Sequence, residues 1–414
     1  MNVALIQRRT VALLCGTQVI GGMGVAIGLS VGALLAARLA GTGLSGVAQS
    51  AAVVGGALMA VPATRVMTVW GRRAGLALAY AAGGLGSVLI VVAAATTWVP
   101  LLFLGMMLFG GGTTGNLQAR YAAVDLAAPE RRAREMSLVV WATTIGAVAA
   151  PNFASLADDA TSGFGLPVLT GPFAFSAAAF VLAAVILLVF LRPDPLLTAR
   201  RLSSQGTAPR RAFRPALRAI AGLPAARLGM AAAAVGHMVM VGVMSMTPVH
   251  LGTYHGDADV LRVVGIVLSL HIAGMYALSP LVGLLTDRLG RRPVILGGVG
   301  LLLAACALAG TAEHDTVRLS AGLFVLGLGW SCTMVAGSTL LSESVPAEVR
   351  PAAQGLSDMV MGLAGASAGA LAGFLVELSG YATLNLLAAI ATVPLVALAL
   401  RPVAVLKGTE GAAD

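Results

Sequence analysis

The chain is short of charge, of lysine and of cysteine. Charged residues make up 10% of its 414 positions and apolar residues 58%, against about 25% and about 45–50% in ordinary globular domains. Too few polar side chains remain to cover an apolar interior of that size, which excludes a water-soluble enzyme or binding domain. Lysine occurs once, as Lys407 followed by Gly408, so there is no G-x-x-x-x-G-K-[ST] phosphate loop and no basis for an ATP-driven pump. No H-E-x-x-H pair exists, so the usual zinc hydrolase is absent too, and neither catalytic residues nor a cofactor are expected. The three cysteines, Cys15, Cys306 and Cys332, are odd in number and lie within apolar runs. They read as small buried hydrophobes, not as a disulfide framework.

What the chain does have is a series of apolar runs of the length that crosses a bilayer, about 20 residues. They lie near 11–36, 45–66, 74–95, 99–120, 136–157 and 170–191, then near 226–249, 260–285, 293–312, 318–341, 353–377 and 381–400. The result is twelve spans in two groups of six, an all-α membrane protein. The 52 glycines suit closely packed transmembrane helices. Arg8 and Arg9 open the first run in the order of a signal peptide, but the run is too long for one and is read as an uncleaved first span.

The net charge of +9 falls in the connections between spans. Arg65, Arg72, Arg73, Arg131, Arg132, Arg134, Arg288, Arg291, Arg292 and Arg350 follow even-numbered spans, while the opposite side has Arg38, Arg262 and Arg318. By the positive-inside rule both termini are expected in the cytoplasm, in a multi-pass protein of the plasma (inner) membrane. Residues 192–225 carry seven arginines against Asp194 and are expected to link the bundles 1–191 and 226–414 along the membrane surface. No nucleic-acid partner is expected, and the chain is expected to act as a monomer in the bilayer.

The two halves echo each other. Gly71-Arg72-Arg73 and Gly290-Arg291-Arg292 are 219 residues apart, and Arg132 and Arg350 are 218 apart. The segment Gly283-Leu-Leu-Thr-Asp287-Arg288-Leu-Gly290-Arg291-Arg292 matches the loop signature G-x-x-x-D-R-x-G-R-R, and with its place after the eighth span the chain resembles the major facilitator superfamily. The resemblance implies two pseudo-symmetric six-helix bundles that rock to give alternating access, with a substrate site at mid-membrane between them. It assigns a conformational latch to Gly283, Asp287, Arg288, Gly290, Arg291 and Arg292. By pseudo-symmetry Asp287 is expected near the start of the fifth span, around Arg134 to Ser137, where a helix N-terminus favours an anion. In the first copy Thr68 stands at the acidic position, so the latch is expected in one half only.

Ionisable groups deep in a membrane are costly and point to function. His237 and His271 each lie about 11 residues, or ~17 Å, into their spans. Either imidazole can carry a coupling proton or sit as a neutral group bonded to a helix carbonyl. Gln18 holds the position equivalent to His237. Asp358 is the carboxylate well inside a span, and Arg120 has similar depth. They are read as a gating pair across the halves, a protonation site, or side chains snorkelling to the headgroups. Asn116, Gln118, Trp141, Asn152, Met244, Tyr276 and Trp330 complete the candidate cavity. His250 and His255 can bind a divalent ion at the outer end of the seventh span.

Gly146-x-x-x-Ala150-Pro151 partly resembles the antiporter motif of family exporters, with Ala150 in place of a glycine. Gly24, Gly28 and Gly32, and Gly365, Gly369 and Gly373, read as packing seams. A cavity poor in fixed charge is expected to suit hydrophobic or cationic compounds such as drugs, exported against protons. The alternatives are an uptake carrier for a small metabolite or divalent metal and, in another class, a transporter-like sensor or scaffold, for which long soluble extensions would be expected.

Overall fold

The computed structural model describes residues 2–40, 42–163, 165–202, 213–254 and 257–401, and among them every regular element is a helix. The first six crossings are α1 (Val3–Ala40), α2 (Thr42–Trp70), α3 (Arg72–Thr96), α4 (Val99–Ala122), α5 (Arg132–Ser162) and α6 (Gly171–Phe190). Two short helices, α7 (Pro195–Leu202) and α8 (Phe213–Gly222), stand in the connecting segment. The second half contains α9 (Pro224–Gly252), α10 (Asp257–Tyr276), α11 (Ser279–Leu289), α12 (Arg291–Gly310), α13 (Thr316–Ser344), α14 (Arg350–Ile390) and α15 (Val393–Leu400).

Three departures from the expected spans have local causes. The eighth crossing is broken between α10 and α11, because Pro280 has no N–H to offer the preceding turn. The hydroxyl of Ser279 donates to the Tyr276 carbonyl instead, at 2.7 Å. The run Arg350–Leu400 is 51 residues, about 75 Å if straight and far beyond the ~30 Å of hydrocarbon. It turns back at Gly380, whose φ of 81° interrupts α14 and separates the eleventh crossing from the twelfth. Finally, α1 starts at Val3, well before position 11, because its first turns continue the helix past the apolar run.

Among the described residues nine stretches are long and apolar enough to cross a membrane. Neither α4 nor α5 is among them. The inner end of α4 carries Thr113, Thr114, Asn116, Gln118 and Arg120, so its hydropathy is lowered by residues that face the molecule's centre.

The apolar core forms two main clusters. One is built from α1–α6 around Leu14, Phe109, Phe173 and Phe180, with Phe109 edge-on to both other rings at 5.8 and 5.6 Å. The other is centred on α9–α15, with Leu228, Leu302, Leu323 and Trp330. Glycines draw the helices together inside each half: Gly24 and Gly28 face Phe180 and Phe109, and Gly365 faces His237. The halves meet along two symmetry-related seams, α2 on α14 and α5 on α11. The linker divides between them. Asp194, just before α7, caps the N half by accepting from the Arg73 N–H at 2.8 Å, while Ala216 and Ile220 of α8 pack on Leu341, Val345 and Ala353 of the C half.

Candidate functional site

At the end of the bundle that carries the arginine-rich loops, the halves are tied by a contact built twice. In the second copy, Gly290 adopts φ 93° and Asp287 lies in the last turn of α11, three residues before it. The Asp287 carboxylate accepts from the N–H groups of Ala133 and Arg134, at 3.1 and 2.9 Å. These belong to the first turn of α5 in the other half, where N–H groups lack helical partners and the dipole favours an anion. Arg291 pairs with Glu343 at 2.8 Å and reaches across to the Pro129 carbonyl at 3.0 Å. Arg292 holds the end of its own bundle by donating to the Ala399 and Arg401 carbonyls, and Arg288 is exposed.

The first copy also reaches across, contrary to the expectation from Thr68. Thr68 donates to the Thr64 carbonyl of its own helix. Arg72, after Gly71 at φ 87°, pairs with Asp125 at 2.7 and 3.1 Å and donates to Gln354 Oε1 on α14 at 2.7 Å. A guanidinium has five N–H donors, enough for a carboxylate and a second partner. Asp125 and Glu343 are 218 residues apart, so the repeated feature is the arginine–carboxylate pair, with the cross-half acceptor free to vary. The seams repeat with roles exchanged. Gly283 lies against Ser137 and the Ala133 carbonyl, while Gly355 lies against Thr64 and the Ala60 carbonyl. Thr64 and Gly283 are equivalent positions, as are Ser137 and Gly355.

Deeper in, Arg120 of α4 and Asp358 of α14 form a cross-half ion pair at 2.5 Å, with side chains 1% and 3% exposed. Gln118 donates to the second carboxylate oxygen at 2.8 Å, and the Tyr121 hydroxyl lies 3.4 Å from the first. Arg120 also donates to the Leu117 carbonyl and to Ser338 Oγ. A buried pair persists only when its remaining hydrogen-bonding capacity is met, and these groups meet it. Neither side chain snorkels.

Above the pair, away from the basic end, a cavity of about 370 Å³ opens between the halves, with Arg120 on its lining. One corner is polar. Gln18 Nε2 donates to the Asn116 carbonyl and to Thr143 Oγ1, and Tyr80 donates to Asn116 Oδ1 at 2.7 Å. The facing wall is soft and aromatic: Met244, Met275 and Met334 with Tyr276 and Trp330, whose rings meet edge-on at 5.6 Å. Trp330 Nε1 donates to His237 Nδ1 at 3.1 Å. An indole N–H can only donate, so this His237 nitrogen carries no proton and the imidazole is neutral in this state.

The other candidates fall elsewhere. His271 is fully buried, its Nδ1 donating to the Leu323 carbonyl at 2.8 Å with no partner at Nε2 among the described residues, and it is not part of the cavity lining. It lies where α10 packs on α13. Trp141 is 39% exposed and off the cavity. The Asn152 side chain and His255 lie outside the described residues. The His250 ring stacks on Tyr381 at 4.4 Å and contacts the Glu313 carbonyl, and among the described residues no three metal-ligating side chains converge. Asp125, Glu343 and Gln354 escaped the sequence reading, although the 218-residue offset carries a signal for the first two.

Two helical bundles meeting over a central cavity, sealed at one end by contacts made twice, define a multi-pass membrane transporter. Residues 11–261 and 257–412 match the family model described as Major Facilitator Superfamily. The chain belongs to that superfamily. It is 36% identical to the MFS-type transporter YddS of Bacillus subtilis, over 94% of this chain and 90% of that protein. It is 29% identical to the riboflavin transporter RfnT of Brucella anthropi, over 100% and 99% of the two chains. Among solved structures it is similar in fold to the proton:xylose symporter XylE, with a TM-score of 0.72 at 15% identity, covering 94% and 95% of the chains.

Proposed function

We propose that this transporter is a proton-coupled exporter of small hydrophobic or cationic compounds, in the plasma (inner) membrane, with its basic loops and both termini in the cytoplasm. The observation that carries the reading is the joint between cavity and gate: Arg120 lines the cavity, and its one carboxylate partner among the described residues, Asp358, belongs to the other half. With Asp358 charged, the pair and the doubled latch close the cytoplasmic end and the cavity faces outward. A proton arriving from outside through the cavity neutralises Asp358 and leaves the Arg120 charge uncompensated in a dry joint, which is strongly unfavourable. The joint then parts, Arg120 is hydrated from the cytoplasm, and substrate enters. Loss of the proton to the cytoplasm restores the pair, closes the inner end around the loaded cavity and presents the substrate outward.

The lining sets the cargo. Three methionines, Tyr276 and Trp330 adapt to varied apolar and flat molecules, and the Gln18–Asn116–Thr143 corner offers uncharged polar groups to orient them. His237 positions Trp330 and carries no proton in this cycle. The full-length likeness to a riboflavin transporter favours a second reading, carriage of a flat amphipathic metabolite through the same cavity.

Everted vesicles test both. Lipophilic cations, antibiotics and riboflavin are offered with and without an inward-acid gradient. Accumulation of a lipophilic compound that collapses with the gradient supports export. Movement of riboflavin alone supports the second reading, and gradient-independent flux of every compound removes proton coupling.

A further inference from the structure

A second groove lies at the basic end, outside the transport path, between the first turns of α1 and the end of α6. Leu5, Leu13, Phe190 and Pro193 line it, and Arg9 and Arg192 stand at its rim. Both arginines are exposed, and among the described residues neither guanidinium has a carboxylate or carbonyl partner. The nearest acid in sequence, Asp194, is engaged by the backbone N–H groups of Arg73 and Leu197. Arg9 sits just outside the first apolar run, and Arg192 directly follows the sixth. Both charges therefore stand at headgroup depth, while Leu13, one turn deeper than Arg9, and Phe190, 51% exposed, continue the groove into the hydrocarbon.

We propose that this groove binds one anionic phospholipid of the leaflet at the basic end, its phosphodiester held between Arg9 and Arg192 and an acyl chain laid along Leu13 and Phe190. The groove encloses about 90 Å³. That suits a phosphodiester and falls well short of the ~300–1,000 Å³ typical of sites that enclose an organic ligand. Two guanidinium groups without acidic partners among the described residues supply the charge complement, and basic pockets between transmembrane helices have this preference for anionic headgroups. Because α1 packs on α5, which receives the Asp287 latch, the lipid would brace the N half beside its gate.

The test is native mass spectrometry of the detergent-purified full chain with dioleoyl phosphatidylglycerol against dioleoyl phosphatidylcholine. At about 1 kcal/mol per arginine, the expected preference for one bound phosphatidylglycerol is about thirtyfold. Arg9→Gln with Arg192→Gln abolishes it, Arg9→Lys with Arg192→Lys retains most of it, and millimolar inorganic phosphate leaves the lipid in place. Three results would overturn the proposal: equal retention of the two lipids, a preference that survives the glutamine pair, or one lost instead in Arg214→Gln with Arg218→Gln on α8. Displacement by free phosphate would overturn it as well, by making the site one for a soluble anion.

Discussion

Asp358→Asn removes the charge that Arg120 meets at the joint while keeping the shape of the side chain. Breaking a buried pair by deleting one charge costs about 3–5 kcal/mol. The asparagine amide still accepts one hydrogen bond from Arg120, returning about 1 kcal/mol. Arg120 also keeps Leu117 and Ser338 as acceptors. The closed basic end should therefore lose about 2–4 kcal/mol, at least a thirtyfold shift in the equilibrium. A tenfold preference for closure becomes a threefold preference for opening. Spin labels at Trp70 and Leu289, exposed positions at the basic end of opposite halves, read the separation by pulsed electron resonance, with Cys15, Cys306 and Cys332 replaced by alanine. The variant should show a longer distance at neutral pH that the wild type shows on acidification. An unchanged short distance in Asp358→Asn would refute the joint as a gate.

The latch gives a weaker version of the same effect. Asp287→Asn leaves one acceptor for the two N–H groups of α5 and removes the charge beside Arg291; about 1–2 kcal/mol is lost from the closed state, so turnover should slow severalfold at near-normal expression, and wild-type turnover would count against the latch. Gly355→Ser wedges the α2–α14 seam against Thr64, an overpacking worth about 1–3 kcal/mol; adding Thr64→Gly copies the Ser137–Gly283 arrangement and should restore part of the flux, while no rescue would mean that the seams are not interchangeable. His237→Phe deprives Trp330 of its acceptor and should raise KM about fivefold, the worth of about 1 kcal/mol, with the pH profile of transport retained; a flattened profile would return His237 to proton carriage.

Much of the architecture is legible in the chain because bilayer thickness imposes run length and topology imposes the arginine bias. The eighth crossing reads as continuous since Ser279-Pro280 sits inside an otherwise apolar run, and its break appears in the structure between α10 and α11, where Ser279 bonds the Tyr276 carbonyl. The latch at Asp287 is written in a local motif, whereas the first copy is hidden: Arg72 finds its partners 53 and 282 residues away. Depth alone brought Arg120 and Asp358 together in the reading, since two opposite charges at one level of an apolar core have strong reason to meet. The same reasoning set His271 beside His237, whereas the structure places His271 against Leu323 of α13 and off the cavity lining, because depth says nothing about which helix face a residue occupies.

The most direct test of the central claim is transport by Asp358→Asn in everted vesicles, comparing substrate–substrate exchange with accumulation driven by a proton gradient. If Asp358 is the group whose protonation opens the joint, exchange persists and the gradient no longer drives accumulation. Gradient-driven accumulation at the wild-type level in that variant would contradict the account.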